Sequence, residues 1–240
     1  MKPKSDNLFH FTKSLEILKS ILDNGIYPRF CLEDIEWLGL DDDKYLAFPI
    51  TCFCDIPLSR ISDHTDFYGN YGIGLSKNWG TKNKLNPVAY SPSDGNIQQL
   101  MKYLFHLYLP ENRKKQQQDI NSHAYRLLSL LKPTNGKMVI SGGIIEKDFY
   151  QENEWRYVPA IDGVIQEKDF EDTKEDANKS IEKYKLEFSP SDVKYIFVKN
   201  DGDIPSLVDH INESLGMYPL NDLKILQSRI VSLDTLKQDL

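Results

Sequence analysis

Residues 45–76 read YLAFPITCFCDIPLSRISDHTDFYGNYGIGLS, and the fold class turns on how this stretch divides. Phe48 to Ile56 is an apolar run, rich in β-branched and aromatic side chains and introduced by Pro49. Such a run makes a better buried strand than a helix, because branched and flat side chains pack well on a pleated surface. Asp55-Ile56-Pro57-Leu58-Ser59 breaks it. Pro57, with a fixed φ and no amide hydrogen, suits the first turn of a following helix. Tyr68-Gly69-Asn70-Tyr71-Gly72-Ile73-Gly74 is then dense in aromatics and glycines. Glycine lets backbone approach backbone or ligand closely, and tyrosine adds a flat apolar face with a polar tip. The combination predicts one wall of a cleft.

On the N-terminal side, Leu8-Phe9-His10-Phe11-Thr12 reads as a short aromatic strand. Thr12 or Ser14 can cap a helix whose apolar face is Leu15, Ile17, Leu18, Ile21 and Leu22, and Asn24-Gly25 ends it. Ile26 to Phe30 leads into an acidic segment with a surface loop over Leu38 to Asp43. On the C-terminal side, Asn86 to Tyr90 reads as a strand, and residues 96–109 and 119–131 carry helical periodicity. A basic linker, Glu111 to Gln118, separates those helices, and Gly142-Gly143 makes a turn. Phe149 to Ala160 is expected as a strand with Glu154, Arg156 and Val158 on one face. Gln166 to Lys185 is highly charged and suits an exposed hairpin, loop or helix. Lys194 to Val198 is a strand, Ile204 to Leu215 a helix, and Lys224 to Ser232 a closing strand.

Strands and helices mix here without regular alternation, which favours α+β over a doubly wound parallel sheet. The expected organisation is one α+β domain over 1–240, with a helical insertion at about 96–133 and a charged hairpin or loop at about 163–187. Neither G-x-G-x-x-G nor G-x-x-x-x-G-K-[ST] is present, so no phosphate-cradle fold is implied.

A chain of 240 residues with 27% charged and 40% hydrophobic residues has the balance of a globular protein with a real core. Its net charge of −7 argues against an extended nucleic-acid footprint and leaves only a local patch such as Arg113 to Lys115. No apolar run reaches the ~20 residues of a membrane span. The start, MKPKSDNLFHF, lacks the apolar core of a secretion signal. Three cysteines, Cys31, Cys52 and Cys54, form neither a disulfide framework nor a zinc site and suit a reducing cytoplasm.

Several residues are candidates for chemistry. Strand alternation puts His10 and Thr12 on one face, where His10 can serve a ribose or be satisfied by a core backbone carbonyl. Glu154 either pairs with Arg156 or points into a cleft, and a neighbouring cation keeps it ionised in both cases. Arg60 and Arg29 can anchor a phosphate through the guanidinium fork, or stand as solvated surface residues. His64, Tyr68 and Tyr71 can flank a planar ring or simply pack. His106, His123 and His210 lack metal-ligand spacing, and no serine or cysteine has a nucleophile setting.

Leu8-Phe9-His10-Phe11-Thr12, Cys52-Phe53-Cys54-Asp55-Ile56-Pro57-Leu58, Tyr68-Gly69-Asn70-Tyr71-Gly72-Ile73-Gly74-Leu75 and Glu154-Trp155-Arg156-Tyr157-Val158-Pro159 resemble the AbiGi family. That resemblance implies a bacterial abortive-infection protein, the antitoxin partner of a nucleotidyltransferase-like AbiGii toxin encoded beside it. More distantly, the pattern resembles ADP-ribosyltransferases of the DarT and RNA 2′-phosphotransferase kind. This second likeness implies a split β-sheet with flanking helices, and a cleft that binds NAD. It would give His10 and Thr12 to a ribose, Arg60 to phosphate, Tyr68 or Tyr71 to nicotinamide, and Glu154 to catalysis on nucleic acid or protein.

Overall fold

The computed structural model describes residues 5–39, 44–108, 123–140, 143–161 and 163–238. Strand β1 (Asn7–Thr12) leads into helix α1 (Leu15–Asn24). The Ser14 hydroxyl accepts from the Ile17 amide, and Gly25 ends the helix at φ 86°. A side chain at Gly25 would put its Cβ 2.5 Å from the Leu186 carbonyl oxygen, so this cap requires glycine. There follow β2 (Arg29–Asp34), β3 (Tyr45–Cys54), a 3-10 turn over Leu58–Arg60, α2 (Ile61–Tyr68), β4 (Tyr71–Ser76) and α3 (Lys77–Lys82). Next come β5 (Asn86–Pro87), β6 (Ala89–Ser91), α4 (Asn96–Tyr108), α5 (residues 123–128), β7 (Leu131–Pro133), β8 (Asn135–Ile140) and β9 (Gly143–Asp148). The chain continues through β10 (Glu154–Tyr157), β11 (Ile165–Gln166), α6 (Glu167–Ser180), β12 (Val193–Val198) and α7 (Ile204–Ser214). It finishes with α8 (Leu220–Gln227), β13 (Ile230–Ser232) and α9 (Leu233–Leu236).

These elements gather into two compact units, and each draws on separate pieces of the chain. The first combines Met1–Ile26, Cys52–Leu85 and Lys185–Leu240; the second combines Tyr27–Thr51 and Asn86–Tyr184.

In the first unit β4 is central. It pairs antiparallel with β1 from Asn7↔Ser76 to Thr12↔Tyr71, and antiparallel with β12 on its other side. Strand β13 adds parallel to β12, and Phe9 of β1 is in register with Cys54 at the end of β3. Phe9, Phe11, Cys54, Ile56, Ile61, Phe197 and Leu233 form a buried cluster on this sheet. The Phe9 and Phe197 rings meet edge-on at 5.6 Å. Gly72 and Gly74 make room for the aromatics, since a Cβ would lie 2.6 Å from Phe11 Cδ1 and 2.9 Å from Phe9 Cδ1 respectively. Helix α1 buries Leu18, Ile21 and Leu22, and α7, which buries Leu207 and Ile211, lies beside it, with Lys19 Nζ donating to the Ser206 hydroxyl at 2.8 Å. Each fully buried side chain of this size contributes roughly 1.5–3 kcal/mol.

In the second unit β2 runs antiparallel along β3 from Arg29↔Ile50 to Asp34↔Tyr45. Strand β11 pairs with β3 at Ala47 and Leu46. Strand β10 pairs antiparallel with β5, β6 pairs parallel with β7, and β8 and β9 form a hairpin. Helix α6 is tied to β2 by Asn178, whose side-chain oxygen accepts from the Phe30 amide at 2.8 Å.

The mixed α+β class and the strand expected at Phe48 to Ile56 are observed, the strand as Tyr45–Cys54. Three stretches differ from their sequence pattern. Phe149–Glu152 is a 3-10 turn closed by Asn153 at φ 43°, so β10 begins only at Glu154. Asparagine reaches the left-handed region at low cost, which lets the chain reverse there. The charged stretch takes the helical form as α6, with acidic Glu167 and Asp169 in its first turn and Lys179 in its last. Of the residues expected as a closing strand, Lys224 to Gln227 belong to α8, whose Leu223 and Leu226 are buried at helical spacing, and only Ile230–Ser232 is strand. The expected glycine-rich cleft wall is β4, whose close approaches at Gly72 and Gly74 are to Phe11 and Phe9. The basic linker with Arg113 to Lys115, the Asp41 to Asp43 loop and Gly142 lie outside the described residues. No helix among the described residues is long and apolar enough to cross a membrane.

Candidate functional site

The residues expected to hold a nucleotide belong to the first unit. His10 sits mid-strand on β1, opposite Ile73, and its Nδ1 lies 2.8 Å from the Cys52 carbonyl oxygen. That bond makes Nδ1 the protonated nitrogen of a neutral imidazole. Burial pushes the His10 pKa below 6.5, and the bond to Cys52 only partly offsets this. Its ring also packs 5.4 Å from that of Phe53. Thr12 is buried at the end of β1. Tyr68 ends α2 with its ring stacked on His64 at 4.4 Å. The Tyr71 hydroxyl donates to Asp203 Oδ2 at 3.1 Å. Burial, then the Asp203 carboxylate, raises the Tyr71 pKa and keeps the phenol protonated. Arg60 is exposed on the 3-10 turn before α2. The two tyrosines thus have separate partners, a histidine ring and a carboxylate.

Glu154 belongs to the second unit, at the centre of a buried ionic network. Arg156, two residues along β10 and therefore on the same face, is 0% exposed. Its Nε donates to Glu154 Oε1 at 2.7 Å, while Nη2 donates to Glu154 Oε2 at 3.1 Å and to Glu33 Oε2 at 2.6 Å. Nη1 donates to the Ser129 carbonyl at 2.7 Å. Lys132 Nζ approaches Glu154 Oε2 at 3.1 Å, Glu152 Oε2 at 3.5 Å and Glu33 Oε2 at 3.8 Å. It also lies 4.1 Å from the centre of the Phe149 ring, a cation–π contact. Lys147 closes the far end on Glu152 Oε1 at 2.6 Å.

Three carboxylates, Glu33, Glu152 and Glu154, therefore face three cations, Lys132, Lys147 and Arg156. Burial by itself would lower the Lys132 pKa, but the Glu154, Glu33 and Glu152 carboxylates outweigh it and hold the lysine above 10.5. Burial likewise opposes the charge on Glu152, and Lys132 with Lys147 outweighs it, leaving the Glu152 pKa below 4.5. Lys132 and Glu152 are thus kept charged by their neighbours. Two further groups border the network. The Tyr90 hydroxyl accepts the Glu154 amide at 2.9 Å, and burial followed by the Glu154 charge raises its pKa. Cys31 is pushed up to about 12 by burial and then by Glu33, so it remains a thiol and is no nucleophile.

This arrangement holds the Glu154 carboxylate between two cations. Both Glu154 oxygens are engaged by cations, and Arg156 turns its fork inward. A closed network of this kind anchors backbone from β2, β7 and β10 in one register. The pairing of Glu154 with Arg156 was one of the two readings open in the sequence. Glu33, Lys132, Glu152 and Lys147 were missed, because an acidic run and a lysine before Pro133 carry no signal of burial. Only the tertiary fold brings them together.

The comparisons with known proteins agree with each other. A family model described as "Putative abortive phage resistance protein AbiGi, antitoxin" matches residues 24–199. The abortive phage resistance protein AbiGi of Lactococcus lactis subsp. cremoris is 29% identical over 244 residues, covering 88% of this chain and 98% of that protein. No solved structure matches. His10 and Thr12 precede the span matched by the family model, whereas Arg60, Tyr68, Tyr71 and the whole ionic network lie inside it. With β3, the glycine-bearing β4, β10 and β12 all within that span, the chain belongs to the AbiGi family.

Proposed function

We propose that this chain is the antitoxin-side component of an abortive-infection system and acts by binding a cognate, AbiGii-like toxin protein. The observation that carries this reading is the family match over residues 24–199, whose description names an antitoxin. The ionic network supports it, since a neutralised, buried Glu154 suits a rigid binding scaffold better than a reaction centre. Co-expression with the protein encoded beside it is expected to yield a copurifying complex and to relieve the growth arrest that protein causes alone. Glu154→Gln is expected to lower the melting temperature while sparing binding at temperatures where the variant is folded. A neighbouring gene product that stays unbound and equally toxic in the presence of this chain overturns the reading.

A second reading is an NAD-dependent ADP-ribosyltransferase on a split sheet of that superfamily. It is supported by β1, which lies against β4 and carries His10 with its ring oriented by the Cys52 carbonyl. The other residues fit NAD poorly. The Glu154 oxygens are held by Arg156 and Lys132, and the Tyr68 ring is stacked on His64. Nicotinamide release from NAD, abolished by Glu154→Gln in folded protein, would establish this reading over the first.

A further inference from the structure

In the second unit, the hairpin of β8 and β9 presents one side of β9 as a sheet edge. Strand β9 pairs with β8 from Asn135↔Asp148 to Ile140↔Gly143, and no other described strand pairs with it. The hairpin itself is firmly held. The Asp34 carboxylate accepts the Lys137 amide at 2.9 Å, Lys137 Nζ reaches Glu36 at 2.7 Å, and Lys147 Nζ reaches Glu152 at 2.6 Å. The face of β9 formed by Ile144, Glu146 and Asp148 is exposed, Ile144 to 57%. Val139, directly across from Ile144 on β8, is 38% exposed. At the start of the strand, a Cβ on Gly143 would meet nothing within 4 Å.

Backbone chemistry decides what this edge takes. Every second residue of an antiparallel strand turns its N–H and C=O away from its neighbour, and a row of such groups is a template for another extended chain. Edge strands are commonly protected by charge, proline or a bulge. Gly143-Ile144-Ile145 carries no charge and no proline, and its pairing with β8 runs without a shift in register. Side chains then choose among extended chains. Along the exposed face the order is apolar, acidic, acidic, and Asp148 keeps its charge because its partner is the neutral Gln151 amide. Cross-strand pairs favour an apolar residue opposite Ile144 and a cation opposite Glu146. A second copy of β9 fits poorly. Laid antiparallel along the strand, it sets Ile144 opposite Glu146, or Ile144 opposite Asp148 with Glu146 opposite itself.

We infer that β9 receives an extended segment of the partner protein as an added strand, and that this segment places an apolar residue against Ile144 and a lysine or arginine against Glu146. The inference rests on the antitoxin reading and adds to it where the partner binds and by what backbone geometry.

The test measures binding of the protein encoded beside this chain to wild type, Ile144→Lys and Glu146→Lys, with melting temperatures as a check on folding. Each variant is expected to bind about tenfold more weakly at an unchanged melting temperature, as favourable cross-strand pairs become unfavourable. A Lys or Arg to Glu substitution in the partner segment is expected to restore binding to Glu146→Lys. Hydrogen exchange on the wild-type pair reads strand addition without any variant. In the complex, protection is expected to appear at the alternate amides of 143–148 that exchange freely in the chain alone. Wild-type binding with both variants within twofold of it, or with no new protection in β9, overturns the inference and leaves the antitoxin reading standing. Self-association of this chain that Glu146→Lys abolishes assigns the edge to a second copy and also overturns it. Absence of any wild-type binding removes both proposals together.

Discussion

The two units are held together by different physics. In the first, the buried interior is a stack of aromatic and aliphatic side chains, and the sheet accommodates them through Gly72 and Gly74. Among its described residues the buried charge is Asp55, matched by Lys77 at 2.7 Å. In the second, an arginine, a lysine and two glutamates are themselves interior residues. Apolar packing is non-directional and fails gradually as atoms are removed. An interior ion network fails abruptly, because each lost partner leaves another charge exposed to a low dielectric. The first unit is therefore sensitive to volume, the second to charge.

The largest expected effect tests the second unit. Arg156→Ala strands Glu154 and Glu33 and is expected to cost about 3–5 kcal/mol, measured by urea unfolding followed with probes in each unit. A loss below about 1 kcal/mol would erase the distinction, since that is the scale of a surface pair. A smaller effect tests the first unit. Gly72→Ala pushes a methyl group against the Phe11 ring and the His10 carbonyl, at 2.6 Å and 2.9 Å before relaxation. About 1–3 kcal/mol is expected, with no change in the pH profile.

The smallest effect separates the units by pH. His10 has a depressed pKa in the folded state, so below 6.5 the unfolded chain binds its proton more readily. The stability this neutral histidine contributes is present above pH 6.5 and declines as pH falls toward its folded value. Lys132 has a raised pKa, so its contribution is complete below pH 10.5 and is lost as pH rises through its folded value. Acid is expected to weaken the first unit before the network, with Glu152 following only below pH 4.5. Histidine NMR titration that places His10 at or above 6.5 would remove the acid limb.

How much of this was legible in the sequence follows the same division. Strands β1, β3 and β12 could be read because β-branched and aromatic runs between turn residues specify a strand locally, whereas β4, with two glycines, was read only as a cleft wall. Helix α1 could be read from its caps and its apolar spacing. The role of Gly72 and Gly74 was half legible: their need for close approach shows in the sequence, but the identity of the approaching group depends on β1 lying alongside. The ionic network was the least legible part. Glu33 and Arg156 touch across 123 residues, and no local pattern announces which lysine in a charged chain is interior. Glu154 was found because it alternates with Arg156 on one strand, the single part of the network encoded by short-range spacing.

The interleaved order of the segments bears on how the molecule is made. Strand β4 is complete at Ser76, yet its antiparallel neighbour β12 starts only at Val193. At ~5–20 residues per second, a ribosome takes on the order of ten seconds to deliver the missing strand. Throughout that interval the nascent first unit carries an open sheet edge next to its aromatic side chains. Any chaperone that shields the growing chain has this edge as its natural target, and a polypeptide released before residue 193 would be a substrate for proteolysis.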